Sequence, residues 1–280
     1  MTGGGGSLPV VLVPLGVDDA ALDACLAALD AATPPATRVW LVDDAQAGPR
    51  GVEIVQRWLR STPLRADCTR RARMAGEVVH LDEALRACGD SDVAVLAGDA
   101  LPAPGWLPQL AACLARDPSI ASATPWCNAG EAAGWPRVEP QSPPDDIASL
   151  ARAAATLPPM HPELPAAVGH AVLLRGSARL RAGGLDSASY GSWYAALTDL
   201  SLRLSGLGWR NALCENAYVA RLGEAAPGEG DMDALAVRWP DWHPRIAGFL
   251  MDDPLRGLRD ELGRRLQAQA SDAPQQELFA

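Results

Sequence analysis

Through about residue 125, two hydrophobic patterns alternate along the chain. Short β-branched runs closed by Pro, Gly or acids read as buried strands: LPVVLVPLG (Leu8–Gly16), TRVWLVDDA (Thr37–Ala45), DVAVLAGD (Asp92–Asp99) and SIASATPW (Ser119–Trp126). Between them the apolar positions recur at helical spacing. In DDAALDACLAALDAA the stripe is Leu22, Cys25, Leu26 and Leu29, with Asp18 or Asp19 as N-cap. In GVEIVQRWLR it is Ile54, Val55, Trp58 and Leu59. GEVVHLDEALRACG, closed by Gly89, and PGWLPQLAACLARD read as two more helices. Alternating strands and helices predict βαβ units and a mostly parallel sheet. Ligands of such sheets sit at the carboxyl ends of the strands, where Pro14, Asp43, Asp44 and Asp99 fall.

Beyond residue 126 the pattern loosens. CNAGEAAGWPRVEPQSPPDD is a Pro- and Gly-rich loop long enough to have a functional role. DDIASLARAAATL and SWYAALTDLSLRLSGLGW read as helices, the second ended by Gly206 or Gly208. PELPAAVGHAVLLRG carries a strand, RNALCENAYVARLGE is another, and helices follow from Asp231.

Composition narrows the class. The 280 residues are 48% hydrophobic and 21% charged, enough for one large α/β domain with a substantial core. A net charge of −10 argues against nucleic acid as a partner. All 24 basic residues are Arg, which reads first as genome bias and second as side chains kept for bidentate phosphate contacts. The six cysteines are scattered among Ala and Leu without a C-x-x-C pair and read as buried reduced thiols. No apolar run is long enough for a transmembrane span, and the N-terminus lacks a signal-peptide pattern, so a cytoplasmic location is expected. Neither G-x-G-x-x-G nor G-x-x-x-x-G-K-[ST] occurs, which argues against Rossmann dinucleotide and P-loop enzymes.

Six segments, in order, resemble the family 2 glycosyltransferases of GT-A fold. VVLVPLG is similar to their first strand, with Pro14 beside the nucleotide. LVDDA resembles the V-D-D-x-S element, whose acids, here Asp43 and Asp44, contact base and ribose. MAGEVVHLDEAL resembles the N-x-G helix, and VAVLAGDALPAPGWLPQL the D-x-D strand and G-W-L helix. ELPAAVGHAVLLRGSARLRAGGLD is similar to the stretch ending in a G-x-x-D turn. YAALTDLSLRLSGLGWRNALCENAYVARLGE resembles the G-E-E-N-D helix, the next strand and the V-x-H segment; RWPDWHPRIAGFLMDDPLRGLRDEL resembles a common C-terminal pattern. The resemblance implies an α/β GT-A fold, with a Rossmann-like nucleotide-binding half and an acceptor half. The implied organisation is a flexible N-terminus (1–7), a glycosyltransferase-like domain (8–225), a helical extension (226–268) and a disordered tail (269–280).

The departures from the family pattern lie on the chemistry. Ala97 replaces the first D-x-D acid and leaves Asp99; Met74 and Asp82 replace the two Asn. Ala196 and Leu197 replace the two glutamates, and Arg221 replaces the His. Sugar transfer must neutralise the leaving diphosphate and deprotonate an acceptor hydroxyl. The resemblance implies a UDP-, GDP- or dTDP-linked donor and a divalent Mn or Mg ion, for which Asp99 alone is a poor ligand set. Arg221 either grips the diphosphate or pairs with Asp99. Asp199 and Asp186 are the candidate proton acceptors; His170 and His80 are weaker ones, and Asp199 also reads as an i,i+4 partner of Arg203. Asp43 and Asp44 alternatively cap a turn, and Asp99 alternatively starts one. Trp126, Trp135, Trp193 and Tyr194 line an acceptor groove or the core. Two functions follow. One is transfer to a cell-surface polysaccharide or glycoprotein, at a non-standard, metal-independent site on the inner face of the membrane, beside another glycosyltransferase or assembly protein. The other is an inactive GT-A pseudo-enzyme that binds a partner.

Overall fold

The computed structural model describes residues 8–224 and 226–272. Strands β1 (Val10–Pro14), β2 (Arg38–Asp43) and β4 (Val93–Leu96) form where the β-branched runs predict them. Helices α1 (Asp19–Ala32), α2 (Pro49–Ser61), α3 (Glu77–Ala87) and α4 (Trp106–Arg116) alternate with them. Asp18, not Asp19, caps α1, accepting from the backbone N–H groups of Ala20 and Ala21. Strand β3 (Arg65–Arg70) gives no hydrophobic signal because it is an exposed edge strand, RADCTR, and charge on an edge discourages further pairing. Strand β5 (Ala100–Pro102) is equally silent. The second half contributes β6 (Ile120–Trp126), α5 (Ile147–Ala155), β7 (Glu163–Leu164), β8 (Ala171–Leu174), α6 (Gly176–Ala182), α7 (Trp193–Gly206) and β9 (Arg210–Arg221). Helices α8 (Asp231–Arg238), α9 (Trp242–Asp252) and α10 (Arg256–Asp272) complete it.

The sheet order is β3-β2-β1-β4-β8-β6-β9-β5, with β7 also on β9. The pairs among β1, β2, β3 and β4 are parallel, as are β6 and β9; β8 runs antiparallel to β4 and β6, and β5 and β7 antiparallel to β9. The parallel expectation therefore describes the first half, and the second half is mixed.

Apolar faces of α1, α2 and α4 cover one side of the sheet, through Leu22, Leu26, Ile54, Trp58, Trp106 and Leu110. Helices α3 and α7 cover the other, through Leu81, Leu85, Leu200 and Leu204. The terminal helices are not separate: Leu255 and Leu262 share a buried cluster with Leu150, Trp126 and Tyr218. Helix α10 continues past residue 268 to Asp272, so the start of the expected disordered tail is helical; residues 1–7 and 273–280 lie outside the described residues. All six cysteines are free, four of them buried. Among the described residues no helix is long and apolar enough to cross a membrane.

Candidate functional site

The carboxyl ends of β1 and β4 and the end of β9 open onto a cavity of about 370 Å³. Its floor is Pro14–Asp18, Ala97–Asp99 and Arg221. Val168, Gly169 and the start of α7 also line it, as do Glu131, Ala132 and Pro140 from the long loop after β6. A second cavity of about 270 Å³ shares Pro14–Val17 and Glu77 and adds Val42, Asp44, Gln46 and His80.

Sheet register joins Asp99 to Arg221. Strand β5 runs antiparallel to the end of β9, with Ala100 opposite Arg221, and the Leu222 N–H donates to the Asp99 carbonyl at 3.0 Å. Arg221 Nε then lies 2.9 Å from both Asp99 carboxylate oxygens. Among the described residues the two terminal guanidinium nitrogens have no hydrogen-bond partner. Two glycines permit this approach. A Cβ on Gly98 would stand 2.8 Å from the Pro14 carbonyl oxygen, and one on Gly223 would stand 2.6 Å from Asp99 Oδ2.

The remaining expected acids separate. Asp44 borders the second cavity and accepts from the N–H groups of Ala75 (3.0 Å) and Gly76 (2.8 Å), which fixes the start of α3. Asp43 borders neither cavity: one oxygen accepts from Gln46 and Ala47 N–H, and the other pairs with Arg70. Asp186 pairs with Arg238 at 2.7 Å, away from both cavities. Asp199 is fully buried, held by Arg203 Nε at 2.8 Å and Trp239 Nε1 at 2.9 Å. Neither Asp186 nor Asp199, the expected proton acceptors, lines either cavity. Asp82, at the second Asn position, is also structural: it accepts from Leu185 N–H and Arg86 Nε and so ties α3 to the G-G-L-D turn.

Three carboxylates that the sequence did not single out line the cavity: Glu77, Glu131 and Glu224. Glu77, at the start of α3, borders both cavities and accepts from Trp193 N–H at 3.3 Å; desolvation raises its pKa against that hydrogen bond and the Arg221 charge. Glu131 accepts from the Tyr194 hydroxyl at 3.1 Å, and desolvation raises its pKa against that bond. Its φ is +41°, a left-handed conformation that costs a non-glycine residue roughly 1–2 kcal/mol and that the surrounding turn must hold. No motif marks Glu131; the only signal was the length of its loop.

Among the aromatics, Trp193, Tyr194 and the unanticipated Trp242 line the cavity, whereas Trp126 is core and Trp135 packs on α10. His170 is a core residue, pushed down to about 3 by burial and then by Arg221. His80 borders the second cavity and is also pushed down, by burial and then Arg71, so it is neutral at pH 7.

The expected divalent ion does not fit these residues. Both oxygens of Asp99 are taken by Arg221, and no group of three His, Cys, Asp or Glu side chains suited to a metal occurs among the described residues.

Residues 11–174 match the family described as Glycosyl transferase family 2. The chain belongs to that family. The matched span ends with β8, so Arg221 and α7 lie beyond it. No curated protein matches the sequence. Solved structures with the same GT-A fold include GalNAc-T7 with UDP, GalNAc and Mn2+, at 12% identity and a TM-score of 0.65. That match covers 96% of this chain, which spans 57% of GalNAc-T7. The mannosyltransferase PcManGT from Pyrobaculum calidifontis, in complex with GDP-Man and Mn2+, is 18% identical with a TM-score of 0.56, covering 95% of this chain and 76% of that one. S. aureus TarS 1-349 in complex with UDP-GlcNAc is 16% identical with a TM-score of 0.54, covering 95% and 73%. At these identities the likeness establishes the fold alone. Within the matched span, Asp99 just after β4 is held in an ion pair by Arg221, which lies outside it.

Proposed function

We propose that this protein transfers a sugar from a nucleoside-diphosphate donor to a hydroxyl of a cell-surface polysaccharide or glycoprotein without a divalent ion. The observation that carries this reading is the Asp99–Arg221 pair. Asp99 orients the guanidinium through Nε and leaves its terminal N–H groups available to a diphosphate at the cavity floor. As the sugar–oxygen bond breaks, charge grows on the leaving diphosphate, and a fixed cation there lowers the barrier. The second cavity, with Asp44, Gln46 and neutral His80, suits a nucleoside.

The test is calorimetric titration with UDP, GDP and dTDP, each with and without Mn2+. Binding that ignores Mn2+ and weakens about 10- to 100-fold in Arg221→Ala is expected, the worth of one or two charge-assisted hydrogen bonds. Unchanged affinity in Arg221→Ala overturns the diphosphate role.

A pseudo-enzyme reading has one observation in its favour. Leu197 occupies the cavity wall where the family pattern places an acid. No binding of any of the three nucleotides at millimolar concentration would select it.

A further inference from the structure

Resting on the transferase reading, we infer that Glu131 is the catalytic proton acceptor, positioned by Tyr194, so that the base has moved from α7 to the loop after β6. Helix α7 carries Ala196 and Leu197 at the positions of the family's acids, both buried, and Asp199 faces away into its ion pairs. The same helix still serves the site, because its first turn presents the Tyr194 hydroxyl to Glu131 at 3.1 Å and 3.4 Å. The carboxylate comes from the loop after β6, on a turn closed by the Gly134 N–H donating to the Glu131 carbonyl at 3.0 Å.

Of the three cavity glutamates, Glu77, Glu131 and Glu224, Glu131 is the one that accepts from a side-chain hydroxyl, that of Tyr194. Glu77 lies between the two cavities, within the field of Arg221 and Asp44, on the nucleotide side. Glu131 lines the first cavity alone, beside Ala132 and Pro140. The other ionisable groups on the cavity wall are Asp18, Asp99, Arg221 and Glu224; α9 adds only apolar Trp242 and Ile246. Tyr194 is the group in hydrogen-bond contact with Glu131, and its own hydroxyl is held protonated by burial and by the Glu131 charge. Glu131 is exposed, so its carboxyl is open to an acceptor, and the groups around it raise its pKa by desolvation, the direction a base requires.

The step balances. The acceptor oxygen forms a bond to the anomeric carbon and gives its proton to Glu131. The bond from that carbon to the diphosphate oxygen breaks, and the nucleoside diphosphate leaves with the electron pair.

The experiment measures release of UDP from UDP-GlcNAc and of GDP from GDP-Man, with water as acceptor, alongside calorimetric binding of UDP and GDP. Glu131→Gln is expected to slow release by about 100-fold or more with nucleotide affinity unchanged. Tyr194→Phe removes a hydrogen bond that favours the carboxylate, so the acid limb of the kcat/KM profile moves to higher pH. Wild-type release with no loss in Glu131→Gln, or a loss in Glu77→Gln alone, overturns the inference and leaves the transferase reading standing. Absence of both binding and release in the wild type overturns the transferase reading, and the inference with it.

Discussion

Arg221 Nε sits 2.9 Å from each oxygen of Asp99, across the antiparallel contact of β5 with β9. A cation held by the chain thus lies where the family pattern places the acid and His that contact a metal. The arrangement should be reversible. The double variant Ala97→Asp with Arg221→His replaces the fixed cation by two donors beside Asp99. Nucleoside-diphosphate affinity is expected to become Mn2+-dependent, read as a difference between calorimetric titrations with and without the ion. Affinity still indifferent to Mn2+ would mean that these side chains do not converge.

The chain just after β4 passes close to the end of β1 at Gly98. In Gly98→Ala the added Cβ meets the Pro14 carbonyl oxygen at 2.8 Å, and neither backbone is free to yield. Overpacking of this kind costs about 1–3 kcal/mol. Denaturant unfolding should register that loss, and the displaced Asp99 should weaken nucleotide binding as well. A variant as stable and as tight-binding as the wild type would show the two strand ends to be independent.

Asp231 ties the start of α7 to the start of α8. It accepts from the N–H groups of Gly191 (2.9 Å), Ser192 (3.0 Å) and Gly228 (2.9 Å) and from the Ser192 hydroxyl. Burial works to raise its pKa, but these donors outweigh it and hold the carboxyl below the usual range. A depressed carboxyl contributes stability above its unfolded pKa, and that contribution is lost as pH falls through the folded one. Wild-type stability should therefore decline from about pH 4 downwards, near the unperturbed Asp value, and Asp231→Asn should flatten that decline. Identical acid limbs in the two proteins would contradict this role.

Asp199 is expected to support stability and not chemistry. Removing one partner of a buried ion pair costs about 3–5 kcal/mol, and Asp199→Ala leaves Arg203 and Arg238 without their shared carboxylate. Nucleotide affinity of the folded fraction should not change. A donor-release rate that falls while the protein remains fully folded would return Asp199 to the reaction.

Much of the fold was legible because its signals are local. The β-branched runs gave β1, β2, β4 and β6, and the Leu22–Leu29 stripe gave α1. Strand β3 was not legible, because RADCTR has neither alternation nor apolar content and is a strand only through its ladder to β2. For the site, sequence brought Pro14, Asp44, Asp99 and Arg221 to the cavities, but it offered Asp199 and Asp186 as bases and passed over Glu77 and Glu131.

The sequence by itself determined the family, the alternation of β1, β2, β4 and β6 with α1, α2, α3 and α4, and the loss of acids at Ala97, Ala196 and Leu197. These are properties of single positions and of spacing along the chain. Tertiary structure decided what replaces them. Arg221 and Asp99 stand 122 residues apart and meet through sheet register; Glu131 and Tyr194, 63 apart, meet at a cavity. Whether a carboxylate is spent on a turn, buried in an ion pair or left facing a cavity depends on which donors surround it. Those donors come from distant parts of the chain, and no local pattern encodes them.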